Sequence, residues 1–305
     1  MTTLPSTTEA PRVSVGMPVY NGERWVGEAI GSILAQTFQD FLLVISDNAS
    51  TDGTGAICER FAQRDSRVRY HRNPQNIGLF KNYDRVFGLC ASQYFKWAAS
   101  GDVCRPEFLE RCIAVLDSRP DVVLAYPRAA LFDERIESAK PYEDGLDLQD
   151  ERPSDRLTKL LARIQLNNII NGVIRSDALR RTALNKSYVS SDINLVAELA
   201  LQGKFAEVPE RLFLRRMNKA TATAMKTKAE NVEYFEQGSN SVYDFHHWKL
   251  EMGFFKGAWR ARLPLGEKLK VYRVLGRRLR HAHPKLVAEL GASLRGRMST
   301  GGRSE

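Results

Sequence analysis

Cysteine is scarce, and the few present are badly spaced for a scaffold. Cys58, Cys90, Cys104 and Cys112 include no C-x-x-C pair, so neither a disulfide framework nor a zinc ribbon is expected, and a reducing compartment suits the chain better. The five histidines include no H-E-x-x-H, which sets a zincin aside. No apolar run reaches the roughly 18 residues of a membrane span. Residues 1–11 lack the apolar core of a signal peptide and are expected to be disordered. Neither a secreted disulfide protein nor a membrane-spanning one is expected.

Positive charge is absent as an excess from most of the chain. Residues 241–305 hold 14 Lys and Arg against 5 Asp and Glu, which is the whole formal +9, and residues 1–240 balance at 31 of each. The basic surplus thus belongs to an appendage. No zinc framework or aromatic-interleaved basic surface accompanies it, so no nucleic-acid partner is expected. What the chain does have is a hydrophobic content of 43%, enough for a sizeable core in 305 residues, as one large α/β domain or two small ones.

The first 130 residues alternate short apolar runs with helical spacing. Strands are expected at 13–19, 41–45, 68–71, 94–98 and 122–126, with helices between them at about 25–36, 53–64 and 79–90 and one opening on Pro106. That order predicts an α/β fold, a mostly parallel sheet flanked by helices, whose ligands bind at the carboxyl ends of the strands. The polar loops 18–24, 46–52, 72–82 and 99–105 are where function is sought. Residues 134–153, rich in Asp and Glu with Pro141 and Pro153, read as an exposed, mobile connection. Beyond it, a helix is expected at 155–166, a short apolar run at 172–174, a helix at 192–201 and short strands at 205–208 and 212–214. From about 229 the chain reads as a basic, amphipathic helical extension punctuated by Pro264 and Pro284.

The loop residues carry a resemblance. Pro18-Val19-Tyr20-Asn21-Gly22-Glu23, then Asp47-Asn48-Ala49-Ser50-Thr51-Asp52-Gly53-Thr54, then Asn76-Ile77-Gly78 with Asn82, and Gly101-Asp102 before Pro106 stand in that order, each after a strand. Later come Gly172-Val173-Ile174-Arg175, Ser191-Asp192, Gly203-Lys204-Phe205 and Val208-Pro209-Glu210. Together these resemble the family 2 inverting glycosyltransferases with a GT-A fold over roughly residues 12–218. The resemblance implies a GT-A domain at 12–228, with a nucleotide-binding half at 12–132 and an acceptor-side half at 154–228, followed by the helical region 229–305. It implies transfer of a hexosyl or deoxyhexosyl group from a nucleotide-diphosphate sugar to a glycan, glycolipid or small-molecule acceptor, in cell-surface glycan or glycolipid synthesis.

The donor-binding residues implied are Pro18, Tyr20, Asn21, Glu23, Asp47, Ser50, Arg72, Asn76, Gly78, Asn82, Gly101, Asp102, Arg215 and Arg216. Asp47 can accept from a ring N–H of the base, or can be a turn or cap residue; Tyr20 can contact the base or simply pack. In the family an Asp-x-Asp motif holds Mg²⁺ or Mn²⁺. This chain has Ala99, Ser100 and Gly101 where relatives carry acidic residues, leaving Asp102 as the metal ligand, and Asn218 where they often have a histidine. Cation binding shared with the diphosphate stays open, as does neutralisation by Arg215, Arg216 or Lys219; so does Asp102 merely capping the helix at Pro106. Asp192 fits the general base, ionised by the helix N-terminus, or alternatively a plain helix cap. The missing acidic residues also suit a catalytically impaired nucleotide-sugar-binding relative.

Residues 254–297 interleave apolar and cationic side chains. Two readings follow: a helix lying on an anionic bilayer, as on the inner face of the plasma membrane of a cytoplasmic protein, or a helix packed on the catalytic domain or on a second subunit.

Overall fold

The computed structural model describes residues 10–217 and 245–300. Asn218 and Lys219, the 228/229 boundary and the first helical residues expected after 229 lie outside that description, as do residues 1–9. A sheet runs through the molecule in the order β3 (Val68–Arg72), β2 (Phe41–Asp47), β1 (Val13–Val19), β4 (Tyr94–Trp97), β8 (Val173–Arg175), β6 (Val122–Phe132), β9 (Lys204–Arg216) and β5 (Val103–Cys104). The short β7 (Lys140–Tyr142) pairs with β6 off this path. Strands β1, β2, β3, β4, β6 and β9 all point one way, and β5, β7 and β8 oppose them. The sheet is mostly parallel, as expected, with a minority of reversed strands in its second half.

Both faces are covered, which is why β1 and β2 are almost wholly apolar and buried. On one face α1 (Val26–Leu34), α2 (Thr54–Arg64) and α4 (Phe108–Ser118) contribute Ile30, Ile33, Cys58, Phe108 and Ile113. On the other lie α3 (Leu79–Gly88), α5 (Pro153–Arg163), α6 (Ser176–Arg180) and α7 (Ser191–Gln202). Their Val86, Leu157, Leu160, Leu195 and Leu199 are buried in one cluster that also contains Phe95 and Trp97.

Several expectations are corrected. The strand expected at 122–126 continues to Phe132, and the two short strands at 205–208 and 212–214 are one, β9. Prolines misled the reading. Val208 pairs with Pro127 and Arg211 with Arg128, so Pro209 and Glu210 are the extra residues of a bulge, a place where proline costs no ladder hydrogen bond. Helix α4 begins at Phe108, past Pro106. Pro284 does not end a helix: α9 (Leu265–Thr300) runs through it.

The acidic stretch 134–153 is no solvated tether. Leu146 and Leu148 are fully buried, and the backbones of Leu148 and Phe205 exchange hydrogen bonds of 3.1 and 3.2 Å beside β9. Its outward acids are paired, Glu143 with Arg128 and Arg211, Asp150 with Lys159 and Glu151 with Lys204. The leucines alternate with Asp147 and Gln149 at the period of a strand, a pattern that the surrounding charge obscures.

The C-terminal helices α8 (His246–Arg260) and α9 pack on this frame. Phe254, Ala258, Val271 and Leu275 are buried in the same cluster as Leu157 and Leu195 of α5 and α7. Ion pairs fasten them: Arg260–Glu198 at 2.6 Å and Arg278–Glu251 at 2.9 Å, each with a buried carboxylate. For this face of the extension, packing on the α/β domain is what the fold shows.

If residues 146–148 belong to the core, Leu148→Ala destabilises by about 2–5 kcal/mol. A solvated tether would respond within about 0.5 kcal/mol. Urea denaturation distinguishes the two.

Candidate functional site

The site grows from the carboxyl ends of β1, β2 and β3. The loop after β1 and the loop after β2 are sewn together by side chains. Asn21, in the left-handed region at φ 48°, has its N–H donating to Ser50 Oγ (3.0 Å), while its Oδ1 accepts from Thr51 N–H (2.8 Å). Gly22 N–H donates to Thr54 Oγ1 (2.8 Å), and Gly53 N–H donates to Glu23 Oε2 (3.0 Å). Tyr20 is left exposed above these loops.

Asp47 ends β2 and is fully buried. Its Oδ1 accepts from Ser50 N–H (2.8 Å) and Ser50 Oγ–H (2.6 Å). Its Oδ2 accepts from Tyr70 O–H (2.7 Å) and Arg72 Nη1–H (2.9 Å). Arg72 also donates to Ser50 O (2.7 Å) and leaves about half its side chain exposed. Asp47 therefore makes the Asx-type turn that the sequence left open, fixing the buried Ser50 within it and leaving Arg72 directed outward.

The third loop is joined to the second by asparagines. Asn48 Oδ1 accepts from Asn73 Nδ2–H (3.0 Å) and Ile77 N–H (2.9 Å), and Asn48 Nδ2–H donates to Asn76 Oδ1 (2.7 Å). Asn82 Nδ2–H donates to Ser46 O (2.8 Å). Gly78 sits at φ +85°, a conformation that favours glycine, at the entry to α3. Asn76, Gly78 and Asn82 are thus brought to the loop cluster, with Asn76 and Asn82 engaged in shaping it.

The other side of the cleft is built on the end of β9. Arg216 is buried, and its guanidinium donates to Gly101 O (3.0 Å), Asp133 O (3.0 Å) and Glu134 O (3.3 Å) and pairs with Glu28 of α1. It lies between Trp25 and Phe132, 5.1 and 4.4 Å from the ring centroids. Its backbone N–H donates to Asp102 Oδ1 (2.9 Å). Asp102 therefore contacts β9 and does not cap α4. Arg216, expected to meet a diphosphate, has its donors engaged by protein acceptors.

Burial pushes the Asp102 carboxyl up to about 6, opposed by the Arg216 amide and by the charges of Arg215, Lys96 and Arg216. Lys96 was not foreseen, because a cation in Tyr-Phe-Lys-Trp reads as the solvent-facing position of a strand. It is fully buried, donating to Asn171 O (2.7 Å) and Trp97 O (3.0 Å) with its Nζ 4.3 Å from the Phe108 ring centroid.

Asp192 lies in the first turn of α7, which opens on Ser191 after an N-cap, Ser190, in the left-handed region. Asn167 Nδ2–H donates to its Oδ2 (2.8 Å). The helix N-terminus was expected to lower this carboxyl. Burial outweighs the backbone amides, Asn167 and Arg215, and the shift is upward. Arg215, whose Nη1–H donates to Asn168 Oδ1 (2.6 Å), acts on Asp102, Asp192 and Asp144 alike. Asp144 is the second unforeseen residue, since it stands in the acidic stretch read as solvated. It is buried, accepts from Asn168 Nδ2–H (3.3 Å), and is raised by burial to about 7.

Among the described residues, no group of three or more His, Cys, Asp or Glu side chains is placed to hold an ion. Asp102 supplies one oxygen donor of the kind Mg²⁺ or Mn²⁺ prefers. That fits a cation taking its other ligands from a diphosphate and water, and does not fit a cage made of protein alone.

Removing the Arg216 side chain severs the tie between α1, the 99–102 turn and β9. Breaking such a buried pair costs about 3–5 kcal/mol, and the half-exposed Glu28 favours the lower end. Arg216→Lys should recover little, because one ammonium cannot reproduce the fork. Chemical denaturation of the two variants checks both statements.

A family model described as Glycosyl transferase family 2 matches residues 14–188. An uncharacterized glycosyltransferase of Haemophilus influenzae is 24% identical over 242 residues, 74% of each chain. The glycosyltransferase GlyG of Streptococcus pneumoniae serotype 4 is 28% identical over 113 residues, covering 37% of this chain and 38% of that protein. The fold is shared with S. aureus TarS 1–349 in complex with UDP, at TM-score 0.64 and 14% identity over 88% of this chain and 72% of that one. It is also shared with the mannosyltransferase PcManGT from Pyrobaculum calidifontis in complex with GDP-Man and Mn²⁺, at TM-score 0.56 and 16% identity over 98% and 77%. With the family model covering more than half of the chain, and the sheet order and loop geometry of a GT-A fold beneath it, this protein belongs to glycosyl transferase family 2.

Proposed function

We propose that the chain moves a hexosyl or deoxyhexosyl group from a nucleotide-diphosphate sugar to an acceptor hydroxyl, inverting the anomeric centre, in the synthesis of a cell-surface glycan or glycolipid. One observation carries this reading. Asp102 and Asp192, from distant parts of the chain, are brought to either side of Arg215: the adjoining Arg216 amide donates to Asp102 (2.9 Å), and Arg215 donates to Asn168 (2.6 Å), next to the Asn167 that donates to Asp192 (2.8 Å). The turn that holds Asp102 abuts the β1 loop, since a Cβ on Gly22 would stand 3.3 Å from Ser100 Oγ. A donor lying over the three loops would bring its diphosphate to Asp102 and Arg215 and its sugar toward Asp192. That TarS is solved with UDP-GlcNAc and PcManGT with GDP-Man supports a donor of this class. Four free cysteines accord with a reducing, cytoplasmic site of action.

In this reading Tyr20 and Arg72 meet the base and its ribose or phosphate from the exposed side, positioned by Asp47, Asn21 and Ser50. Pro18, Glu23, Asn76, Gly78, Asn82 and Gly101 hold the loop shapes. Asp192 accepts the proton of the acceptor hydroxyl as its oxygen bonds to the anomeric carbon and the bond to the diphosphate breaks. Asn167 orients that carboxylate, and the upward shift makes it a stronger base than an exposed aspartate. Arg215 faces the departing diphosphate, and Arg216 shapes the turn that presents Asp102. A divalent cation at Asp102 would add charge neutralisation for the leaving group.

The degenerate turn Ala99-Ser100-Gly101 favours a second reading, a relative that binds the nucleotide sugar without turning it over. Turnover separates the two readings. In the first, Asp192→Asn lowers kcat at least ~100-fold with donor affinity nearly intact. Because the base must be ionised and its carboxyl is raised, the acid limb of the wild-type pH profile should stand above the ordinary carboxylate range. An acid limb at or below that range, or a fully active Asp192→Asn, would remove Asp192 from the chemistry. Binding of donor with no transfer by the wild type would favour the second reading.

Asp47→Ala should weaken nucleotide binding by about 1–3 kcal/mol, since Arg72 and Ser50 lose the group that holds them. Titration calorimetry with UDP and GDP on the folded variant measures it. Unchanged affinity would confine Asp47 to the turn.

A further inference from the structure

The corner where α8 hands over to α9 leaves large apolar side chains in the open. Trp259 and Leu265 are each 75% exposed and Leu269 is 51% exposed. Lys268 gathers them. Its Nζ donates to Trp259 O (2.8 Å) and stands 5.4 Å from the Trp259 ring centroid, and it shares one face of α9 with Leu265 and Leu269 at helical spacing. Along α8, Met252, Lys256 and Trp259 follow positions i, i+4 and i+7, all exposed, so the stripe continues away from the corner. The same two helices bury Phe254, Val271 and Leu275 on their other side. The corner is therefore a second apolar face, distinct from the packed one.

Among the described residues its exposed charge is mainly positive. Lys256 and Arg262 are exposed beside it, Arg260 pairs with the buried Glu198, and a cavity of about 410 Å³ along α8 is lined by Lys186, Lys249, Lys256 and Arg260 together with Glu198. The acid closest in sequence, Glu267, faces away toward Ser154 (2.9 Å) and Lys270 (2.7 Å). Apolar side chains ringed by cations suit the headgroup region of an anionic bilayer. A second copy of this chain fits poorly, because a two-fold contact would press cations against cations.

We propose that this corner docks on an anionic membrane surface, with Trp259, Leu265 and Leu269 entering the headgroup boundary and Lys256, Arg262 and Lys268 meeting lipid phosphates. The docking is independent of sugar transfer and uses none of the cleft residues. The full chain should float with vesicles of equimolar phosphatidylcholine and phosphatidylglycerol, lose that binding in high salt, and bind pure phosphatidylcholine vesicles poorly. Trp259→Ser combined with Leu265→Ser should lower vesicle affinity at least about tenfold. Val287→Ser, an exposed apolar site further along α9, should leave it unchanged, and all variants should bind nucleotide as the wild type does. Absence of flotation by the wild type would overturn the proposal, as would undiminished flotation of the double variant. A dimer dissociated by the double substitution, without vesicle binding, would make the corner a subunit contact instead.

Discussion

The arrangement of the cleft depends on one buried guanidinium. Arg216 ends β9, yet its contacts are four residues in three other places: Glu28 in α1, Gly101 in the turn after β4, and the carbonyls of Asp133 and Glu134 beyond β6. Trp25 and Phe132 sandwich it, so its charge is both desolvated and satisfied. Because the Arg216 amide also holds Asp102, α1, the 99–102 turn and β9 share a single anchor. The neighbouring Arg215 is thereby presented in register toward Asn168 and the carboxylates.

Buried charge is the theme of this half of the molecule. Lys96, Arg215 and Arg216 all act on Asp102, and burial still raises its carboxyl. The same competition raises Asp144 and Asp192. Burial thus holds several acidic side chains of the cleft toward their neutral form against the pull of the neighbouring cations. The loops after β1, β2 and β3 are different in kind. There asparagine, serine, threonine and backbone groups, with the Glu23 carboxylate, fasten three loops to one another, and the buried Asp47 carboxylate has both oxygens engaged.

This contrast explains what could be read from the sequence. The strand ends and the polar loops after them were legible, because apolar runs of two-face-buried strands stop abruptly at Asp47 and near Asn21, and the asparagines that lace the loops lie in local motifs. The long pairing of β6 with β9 was not, since Pro127, Pro209 and Glu210 look like strand ends until a bulge absorbs them. Asp144 was hidden by its acidic neighbours, Lys96 by a strand alternation that normally points to solvent, and the role of Arg216 by partners more than 80 residues away in sequence. Local pattern carries local geometry; burial of a charge is decided by distant parts of the chain.

In the proposed mechanism a base on the acceptor side faces a leaving diphosphate across the cleft, so transfer inverts the anomeric carbon, and donor hydrolysis reveals it without knowledge of the acceptor. Proton NMR of the sugar first released from an α-linked nucleotide sugar, recorded before mutarotation, should show the β-anomer. Release of the α-anomer would contradict the placement of Asp192 opposite the leaving group.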